Sequence, residues 1–592
     1  MPSQHPDFRR HDPAKRRLRF AEWVVYVVLC LMAVRATIIH MFPPSQDSLK
    51  QIASQQYSKT ITLGNYRGTI FDRRGTPLAL SVKNPSLAVN PKIFSPHPSQ
   101  QKHLHEILGI SRQRIQKITH KNSYFAWLSR HTTLQQAKDV LALSIAGIYP
   151  IQEPARYYPT AHVSAHVVGK VDIDNRGILG VERVLETALA GEAGKIIAVR
   201  DGHGQPILQH VGQITPEESG KNVHLSIDSV IQEIVSEELQ QGIHDAGALS
   251  GFVIVGDPYT GAILALSSFP HYNPNQTIEN MEHARNKATT DLFEPGSIIK
   301  PFVVAEALKR NLTTMDTLYH FDTSGVYRFS GGRIRDDHPK EKLTTHEILA
   351  HSSNIGIFYI AEKLGKEALW GALDALGIGR KHPPINGLAT QSHSRLSLPK
   401  YWRPIRFANV SFGQGFSMTG LDVLRAYNVL ASGGKQTPLH LISKITHAKG
   451  GLYEYRLLEK AKTLYSPKII GDINASLRAV ITEGTGRLAA SNLYTVAGKT
   501  GTTEKYDPIL KAYSEDKRIA SFAGFAPFYD PKITVLVFID EPSEKPYYGG
   551  KWAAPVFAKI IDRVLPYLNV PPDNLHATLE SHETHKTHTP SY

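Results

Sequence analysis

The stretch Phe293-Glu294-Pro295-Gly296-Ser297-Ile298-Ile299-Lys300-Pro301-Phe302-Val303-Val304-Ala305 sets a hydroxyl and an amine three residues apart, where a Glu-Pro-Gly turn gives way to an apolar helix. Three residues apart on a helix share one face, so the Lys300 amine can reach the Ser297 hydroxyl. An uncharged Lys300 can take the Ser297 proton and make a weak nucleophile reactive. The helix start also offers unpaired N–H groups to a developing oxyanion. Taken alone, the pair reads better as an N-cap serine followed by a surface lysine. At least three other Ser-x-x-Lys pairs occur, Ser397/Lys400, Ser432/Lys435 and Ser514/Lys517, all in Gly-, Pro- or charge-rich stretches that read as loops.

Two further groups carry polar chemistry. Ser352-Ser353-Asn354 follows a short helix opened by the capping box Thr344-x-x-Glu347 and precedes an apolar helix over 355–364. A hydroxyl and an amide two apart in that joint can face one cleft; the plainer use of these residues is to cap the second helix. Ala497-Gly498-Lys499-Thr500-Gly501-Thr502-Thr503 reads as a strand, with Lys499, Gly501 and Thr503 on one face and Thr500 and Thr502 on the other. A bulge at Gly501 would change that register, and a glycine there lets a substrate backbone approach. The plainer reading is an edge strand with a solubilising lysine.

The elements that must position these groups are legible as patterns. Asp228 is an N-cap for an amphipathic helix through about residue 242, with Ile231, Ile234, Val235, Glu238 and Leu239 at helical spacing. A hairpin follows, 252–255 and 262–266, around Asp257-Pro258-Tyr259-Thr260-Gly261. A second hairpin is predicted at 518–526 and 533–540, and a helix at 553–565. The sum is an α/β (α+β) domain whose antiparallel sheet draws strands from both ends. Before it, residues 43–221 are mixed and turn-rich, as suits a spacer or docking module. Arg67-Gly68-Thr69-Ile70-Phe71-Asp72-Arg73-Arg74-Gly75-Thr76-Pro77-Leu78 reads there as strand, tight turn and strand.

Composition bounds the rest. The 592 residues leave room for two large domains or three to four ordinary ones. With 41% hydrophobic and 20% charged residues, dominant disorder, collagen and coiled coil are excluded. The net charge of +14 would suit nucleic acid, a membrane surface or an acidic polymer, so its distribution has to decide. Cys30 is the single cysteine, which excludes an intrachain disulfide and a multi-thiolate zinc site. Residues 1–19 hold six basic residues against Asp7 and Asp12, and the run over 20–42 would make a helix of about 34 Å, enough to cross a bilayer. The basic flank comes first, which predicts a cytoplasmic N-terminus and an external remainder. Arg35, in the last third of the span, can snorkel to the interface. A cleaved signal peptide is the rival, but Ala33-Val34-Arg35-Ala36 is a poor cleavage site.

Ser-x-x-Lys at 297, Ser-x-Asn at 352 and Lys-Thr-Gly at 499, in that order, resemble the signature of the penicillin-recognising serine acyltransferases. The ordered triple is far more specific than any member. By matching position, the resemblance implies that Ser297 is the acylated nucleophile and Lys300 its general base. Ser352 would relay protons to the leaving amine, and Asn354 would hold the substrate amide and Lys300. Lys499 would add positive field, helping to keep Lys300 neutral and attracting the substrate carboxylate. Thr500 and Thr502 would bind that carboxylate, beside Gly501. The backbone N–H groups of Ser297 and Thr502 would form the oxyanion hole. Ser353 departs from the aspartate of class A β-lactamases, and no Glu-x-x-Leu-Asn lies between 354 and 499.

The single anchor, residues 67–78, Arg156-Tyr157-Tyr158-Pro159-Thr160, Gly177-Ile178-Leu179-Gly180-Val181-Glu182, Tyr547-Tyr548-Gly549-Gly550 and Ala554-Pro555-Val556-Phe557 resemble class B penicillin-binding proteins, over about residues 15 to 566. Ala165-His166-Val167-Val168-Gly169 running into Asp172-Ile173-Asp174-Asn175-Arg176-Gly177 resembles the division-specific member more than the elongation member. The resemblance implies a cytoplasmic tail (1–19), a transmembrane anchor (20–42), an elongated pedestal or dimerisation-type domain (43–221), a transpeptidase domain (222–570) with an antiparallel sheet flanked by helices, and a disordered tail (571–592). It implies a peptidoglycan D,D-transpeptidase of septal wall synthesis on the bacterial inner membrane, with its catalytic domain periplasmic, needing no cofactor and no metal. Its partners would be stem peptides (a D-Ala-D-Ala donor and a diamino-acid amine acceptor), β-lactams, a membrane glycosyltransferase and other divisome proteins, but no nucleic acid. The alternatives are an elongation-specific transpeptidase, a D,D-carboxypeptidase or β-lactamase-like hydrolase, and a non-catalytic β-lactam sensor or division scaffold. The three intact motifs argue against the last, and a polymerase has no room in 43–220.

Other signals are set aside. His346 and His351 are five apart and share no helical face, so the near-zincin pattern fails. His162 and His166 lack a completing carboxylate. His351 beside Ser352 lacks a Gly-x-Ser-x-Gly elbow. His582, His585 and His588 read as a solvated tail.

Overall fold

The structure, a computed structural model, describes residues 13–41, 58–62, 66–192, 195–200, 206–215, 218–380, 385, 387–454, 460–507 and 512–574. Residues 1–12 of the expected cytoplasmic tail and 575–592 of the expected disordered tail, with its three histidines, lie outside the described residues. The chain divides into two compact units, Met1–Gly64 with Ala193–Glu217 and Asn65–Glu192 with Glu218–Tyr592.

The first unit holds the helix Pro13–Met41 and a three-stranded antiparallel sheet in which Lys195–Arg200 lies between Ser58–Thr62 and Pro206–Thr215. The helix starts at Pro13 rather than at residue 20. Proline favours a first helical position, and the Lys/Arg run behind it forms helix readily. Arg17–Ile38 is long and apolar enough to cross a membrane, and none of it is buried against the protein.

In the second unit, one sheet joins sequence-distant segments. Asn222–Leu225 pairs in parallel with Ile70–Phe71 and antiparallel with Ile442–Thr446. The expected turn after Phe71 is built by Asp72, whose Oδ1 accepts from the N–H groups of Arg74 (2.8 Å) and Thr76 (2.7 Å). Glu182 is fully buried between two arginines: Arg67 Nε donates to one carboxylate oxygen and Arg156 Nε to the other, at 2.6 Å.

The site-bearing part runs as follows. Asp228 caps helix α1 (Ser229–Asp245), its carboxylate accepting from Val230 N and Ile231 N. Strands β1 (Ser250–Gly256) and β2 (Ile263–Phe269) form the early hairpin. Helix α2 (Lys300–Lys309) follows, then a small hairpin of β3 (Val326–Phe329) and β4 (Gly332–Arg335). Helices α3 (Thr345–His351) and α4 (Asn354–Leu364) come next. Strands β5 (Ala497–Asp507), β6 (Ala512–Ala526) and β7 (Ile533–Asp540) complete the sheet, and helix α5 (Gly549–Tyr567) closes the domain. The sheet order is β2-β1-β7-β6-β5, antiparallel throughout.

Both faces of this sheet are covered, so its central strands β1 and β7 are apolar on both sides. Phe252, Ile254 and Phe538 pack with Phe302 and Val303 of α2 and with Leu421 and Leu424 of the helix Gly420–Ala431. The alternate residues Val253, Val255 and Val537 pack with Ile231 and Val235 of α1 and Ile560 and Val564 of α5. Residues 571–574, expected to begin the free tail, are pinned instead: Asp573 accepts from Thr495 N at 2.7 Å and Asn574 donates to Ser491 O at 3.0 Å.

Candidate active site

Ser297 sits in a 3-10 turn, Gly296–Ile299, that leads directly into α2. The turn is tied down from two sides. Gly296 N donates to Gly413 O at 2.9 Å, and Tyr427 Oη donates to Ile298 O at 2.9 Å. Glu294, just ahead of it, accepts from Gly415 N (2.9 Å) and Tyr513 Oη (3.1 Å), and burial raises its pKa above the usual carboxylate range. Ser297 itself is half-buried and faces a cavity of about 700 Å³.

Lys300 is fully buried, one helical turn on. Its Nζ donates to Ser352 O (2.6 Å), Asn354 Oδ1 (2.7 Å) and Ser352 Oγ (3.3 Å). Burial pulls its pKa down to about 7, against an opposing push from the carboxylates of Asp336 and Asp337. The amine is therefore poised between donor and base near neutral pH.

The two serines of the α3–α4 joint divide the work. Ser353 is the cap, its Oγ accepting from Gly356 N at 2.8 Å. Ser352 takes the left-handed backbone conformation (φ 63°), which ends α3 and leaves its carbonyl and hydroxyl with Lys300. The plain capping role thus belongs to the middle residue alone. Asp336, at the end of β4, holds the joint: its carboxylate accepts from Ser353 Oγ (2.6 Å), Asn354 N (2.5 Å) and Ile355 N (3.1 Å). Asn354 Nδ2 donates to Arg335 O at 2.9 Å.

The third motif lies on β5, the edge strand nearest Ser297. The alternation is as expected: Lys499, Gly501 and Thr503 are buried, while Thr500 and Thr502 line the cavity. Pairing with β6 stays regular from Ala497 to Glu504 and shifts only after it, so Gly501 carries no bulge. A Cβ on Gly501 would lie 2.4 Å from Ser521 Oγ, 3.0 Å from Ile298 Cγ2 and 3.2 Å from Pro295 O. The missing side chain therefore lets β5 press against the Ser297 turn. Thr503 Oγ1 adds a bond to Glu294 O at 3.1 Å. Thr500 Oγ1 is 2.6 Å from Thr485 Oγ1, and Gly549 N donates to Thr502 Oγ1 at 3.1 Å.

Lys499 is not a solubilising surface lysine; it is fully buried. Its pKa is held well below the usual lysine value by burial and then by Lys300. Burial, rather than a field from Lys499, is the main cause of the low Lys300 pKa. The other Ser-x-x-Lys pairs are absent from the cavity wall, although Ser514 and Lys517 lie on strand β6 rather than in the loop their composition suggested.

Sequence reasoning passed over Asp336, Asp337, Thr485 and the Glu294–Tyr513 pair. Gly331-Gly332 between Tyr327-Arg328-Phe329 and Arg333-Ile334-Arg335 was the available hairpin signal. Among the described residues, no group of three or more His, Cys, Asp or Glu is placed to hold a metal.

A hydroxyl at a helix start, a buried amine near neutrality and a hydroxyl-lined strand around one cavity are the equipment of serine acyl transfer. Residues 251–562 match the penicillin binding protein transpeptidase domain, and residues 62–225 the penicillin-binding protein dimerisation domain. The chain belongs to the penicillin-binding protein transpeptidases, in the class B branch where a dimerisation domain comes first. It is 33% identical over 565 residues to the probable peptidoglycan D,D-transpeptidase PenA of Neisseria gonorrhoeae, covering 94% of this chain and 93% of that one. It is 30% identical over 566 residues to the peptidoglycan D,D-transpeptidase FtsI of Escherichia coli, with the same coverage. In fold it is similar to penicillin-binding protein 3 of Mycobacterium tuberculosis, solved with aztreonam (TM-score 0.67, 24% identity, 87% of this chain and 98% of that one).

Proposed function

We propose that this chain is a serine D,D-transpeptidase that cross-links peptidoglycan stem peptides at the division septum. The observation that carries the chemistry is Lys300: a buried amine with a pKa near 7, bonded to Ser352 and Asn354, in the helix that Ser297 opens. Neutral Lys300 accepts the Ser297 proton as Oγ bonds to the carbonyl carbon of the penultimate D-Ala. Backbone N–H groups of Ser297 and Thr502 receive the oxyanion. The C–N bond to the terminal D-Ala then breaks, and the proton passes through Ser352 to the leaving amine. Thr500 and Thr502 hold the terminal carboxylate, and Asn354 the donor amide. An amine from a neighbouring stem attacks the acyl-enzyme, forms the new amide and returns a proton to Ser297. A β-lactam follows the first half of this path and stays on Ser297.

The septal role draws support from residues 165–177 and from kinship with FtsI and PenA. The basic residues before Arg17–Ile38 favour a cytoplasmic N-terminus and a periplasmic catalytic unit on the inner membrane. A separate membrane glycosyltransferase and other divisome proteins would then supply the glycan and the timing.

The test is turnover of a D-Ala-D-Ala pentapeptide with an amine acceptor by the full chain in detergent. D-Ala release with cross-linked product is expected. Release with hydrolysed product alone would favour the carboxypeptidase reading. Depletion in cells should give filaments; rounded, wide cells would move the role to elongation.

A further inference from the structure

The small hairpin β3–β4 is firmly seated on one face. Tyr327 and Ile334, opposite each other in register, turn inward onto Phe358 of α4, and Ile334 is buried. Strand alternation puts their neighbours on the other face. There Arg328 stands directly opposite Arg333, and Arg335 stands two residues along from Arg333. Among the described residues, none of the three guanidiniums has a hydrogen-bond or ion-pair partner. Like charges directly opposite on a strand pair are unfavourable, and here Arg328 on β3 and Arg333 on β4 hold such positions as exposed side chains.

The place of this face matters. Arg333 and Arg335 both line the cavity that holds Ser297, Thr500 and Thr502. The Arg335 carbonyl is bonded to the Asn354 amide, whose other end is bonded to Lys300. Asp336 and Asp337 stand beside them, two negative charges against two positive, and the wall's net positive charge comes from Arg487 and Lys551, which line the same cavity.

We propose that Arg333 and Arg335, reinforced by Arg328, read a carboxylate of the stem peptide other than the terminal D-Ala carboxylate that Thr500 and Thr502 take. The substrate class is thus a stem peptide with a free carboxylate upstream of D-Ala-D-Ala or beside the acceptor amine, in preference to its amidated counterpart. Guanidinium suits this because its planar donors match a carboxylate's two oxygens. The proposal rests on the transpeptidase reading above.

The experiment compares two pentapeptide donors with the full chain in detergent. One keeps its upstream carboxylates and the other has them amidated. The wild type should release D-Ala from the carboxylated peptide with kcat/KM about tenfold higher, a charge-assisted bond's worth, and added salt should shrink that ratio. R333Q/R335Q should bring the ratio close to one, and R333K/R335K should retain much of it. The same comparison on acceptor peptides, read as cross-linked product, shows which stem carries the carboxylate. Equal use of both forms by the wild type in both arms overturns the proposal. So does a ratio that R333Q/R335Q leaves intact. No D-Ala release from either peptide would instead sink the transpeptidase reading.

Discussion

With a pKa near 7, Lys300 is close to half uncharged at neutral pH, so acylation should follow its titration. The base form is the active one, so the second-order rate constant for benzylpenicillin should rise with pH through about 7 and then level. A flat profile across that range would contradict the assignment. Replacing Lys300 by alanine should lower the rate about 10²–10⁴-fold. Asp336 supplies a sharper test. D336N removes a negative charge that favours protonated Lys300, so the midpoint should move below 7. It also weakens three charged hydrogen bonds to the Ser353–Ile355 backbone and hydroxyl, and acylation should fall about tenfold. An unchanged midpoint would separate Asp336 from the base. Ser297, Lys300, Ser352, Asn354, Thr500 and Thr502 were legible because three short motifs in order resemble a family signature, while spacing alone set only which of them share a face. Asp336 was not, because its role exists only once a hairpin folds back on the α3–α4 joint. The buried state of Lys499 was equally hidden, since a lysine on an edge strand is ordinarily solvated.

Among the elements, the contact between β5 and the Ser297 turn decides the geometry. Gly501 permits it, and G501A would press a Cβ against Ser521 Oγ, Ile298 and Pro295. The serine can rotate, but the turn can only be displaced. Acylation should therefore fall on the order of tenfold to a hundredfold, with a stability loss of about 1–3 kcal/mol measured by thermal unfolding. Full activity in G501A would mean that the strand does not position the nucleophile. The helices and sheet strands here were readable because each is apolar on the faces it buries: α1 at 3.6-residue spacing, β7 on both sides. The misread cases have equally local causes. Ser514 and Lys517 extend β6 through charged residues at the exposed end of a long hairpin. The helix at the N-terminus runs back through Lys and Arg because nothing after Pro13 breaks it.

On the scale of the whole molecule, Glu182 between Arg67 and Arg156 ties segments that are 115 and 26 residues apart. No local pattern announces such a network, which is why residues 67–78, 156–160 and 177–182 were legible as family segments but not as one buried cluster. E182Q should cost about 3–5 kcal/mol, because it leaves the buried Arg156 guanidinium without a carboxylate, while Arg67 keeps Glu186 at 2.7 Å. An unchanged melting temperature would show that the network is not structural. In the same unit, Ser297 is the proposed acylated residue of a site assembled from three distant stretches. The direct measurement is labelling of the full chain with a fluorescent penicillin, with the modified residue read by peptide mass. Stable adduct on Ser297 in the wild type, and none in S297A, is the predicted result. Labelling that survives S297A, or an adduct mapped to Ser352 or another hydroxyl, would contradict it.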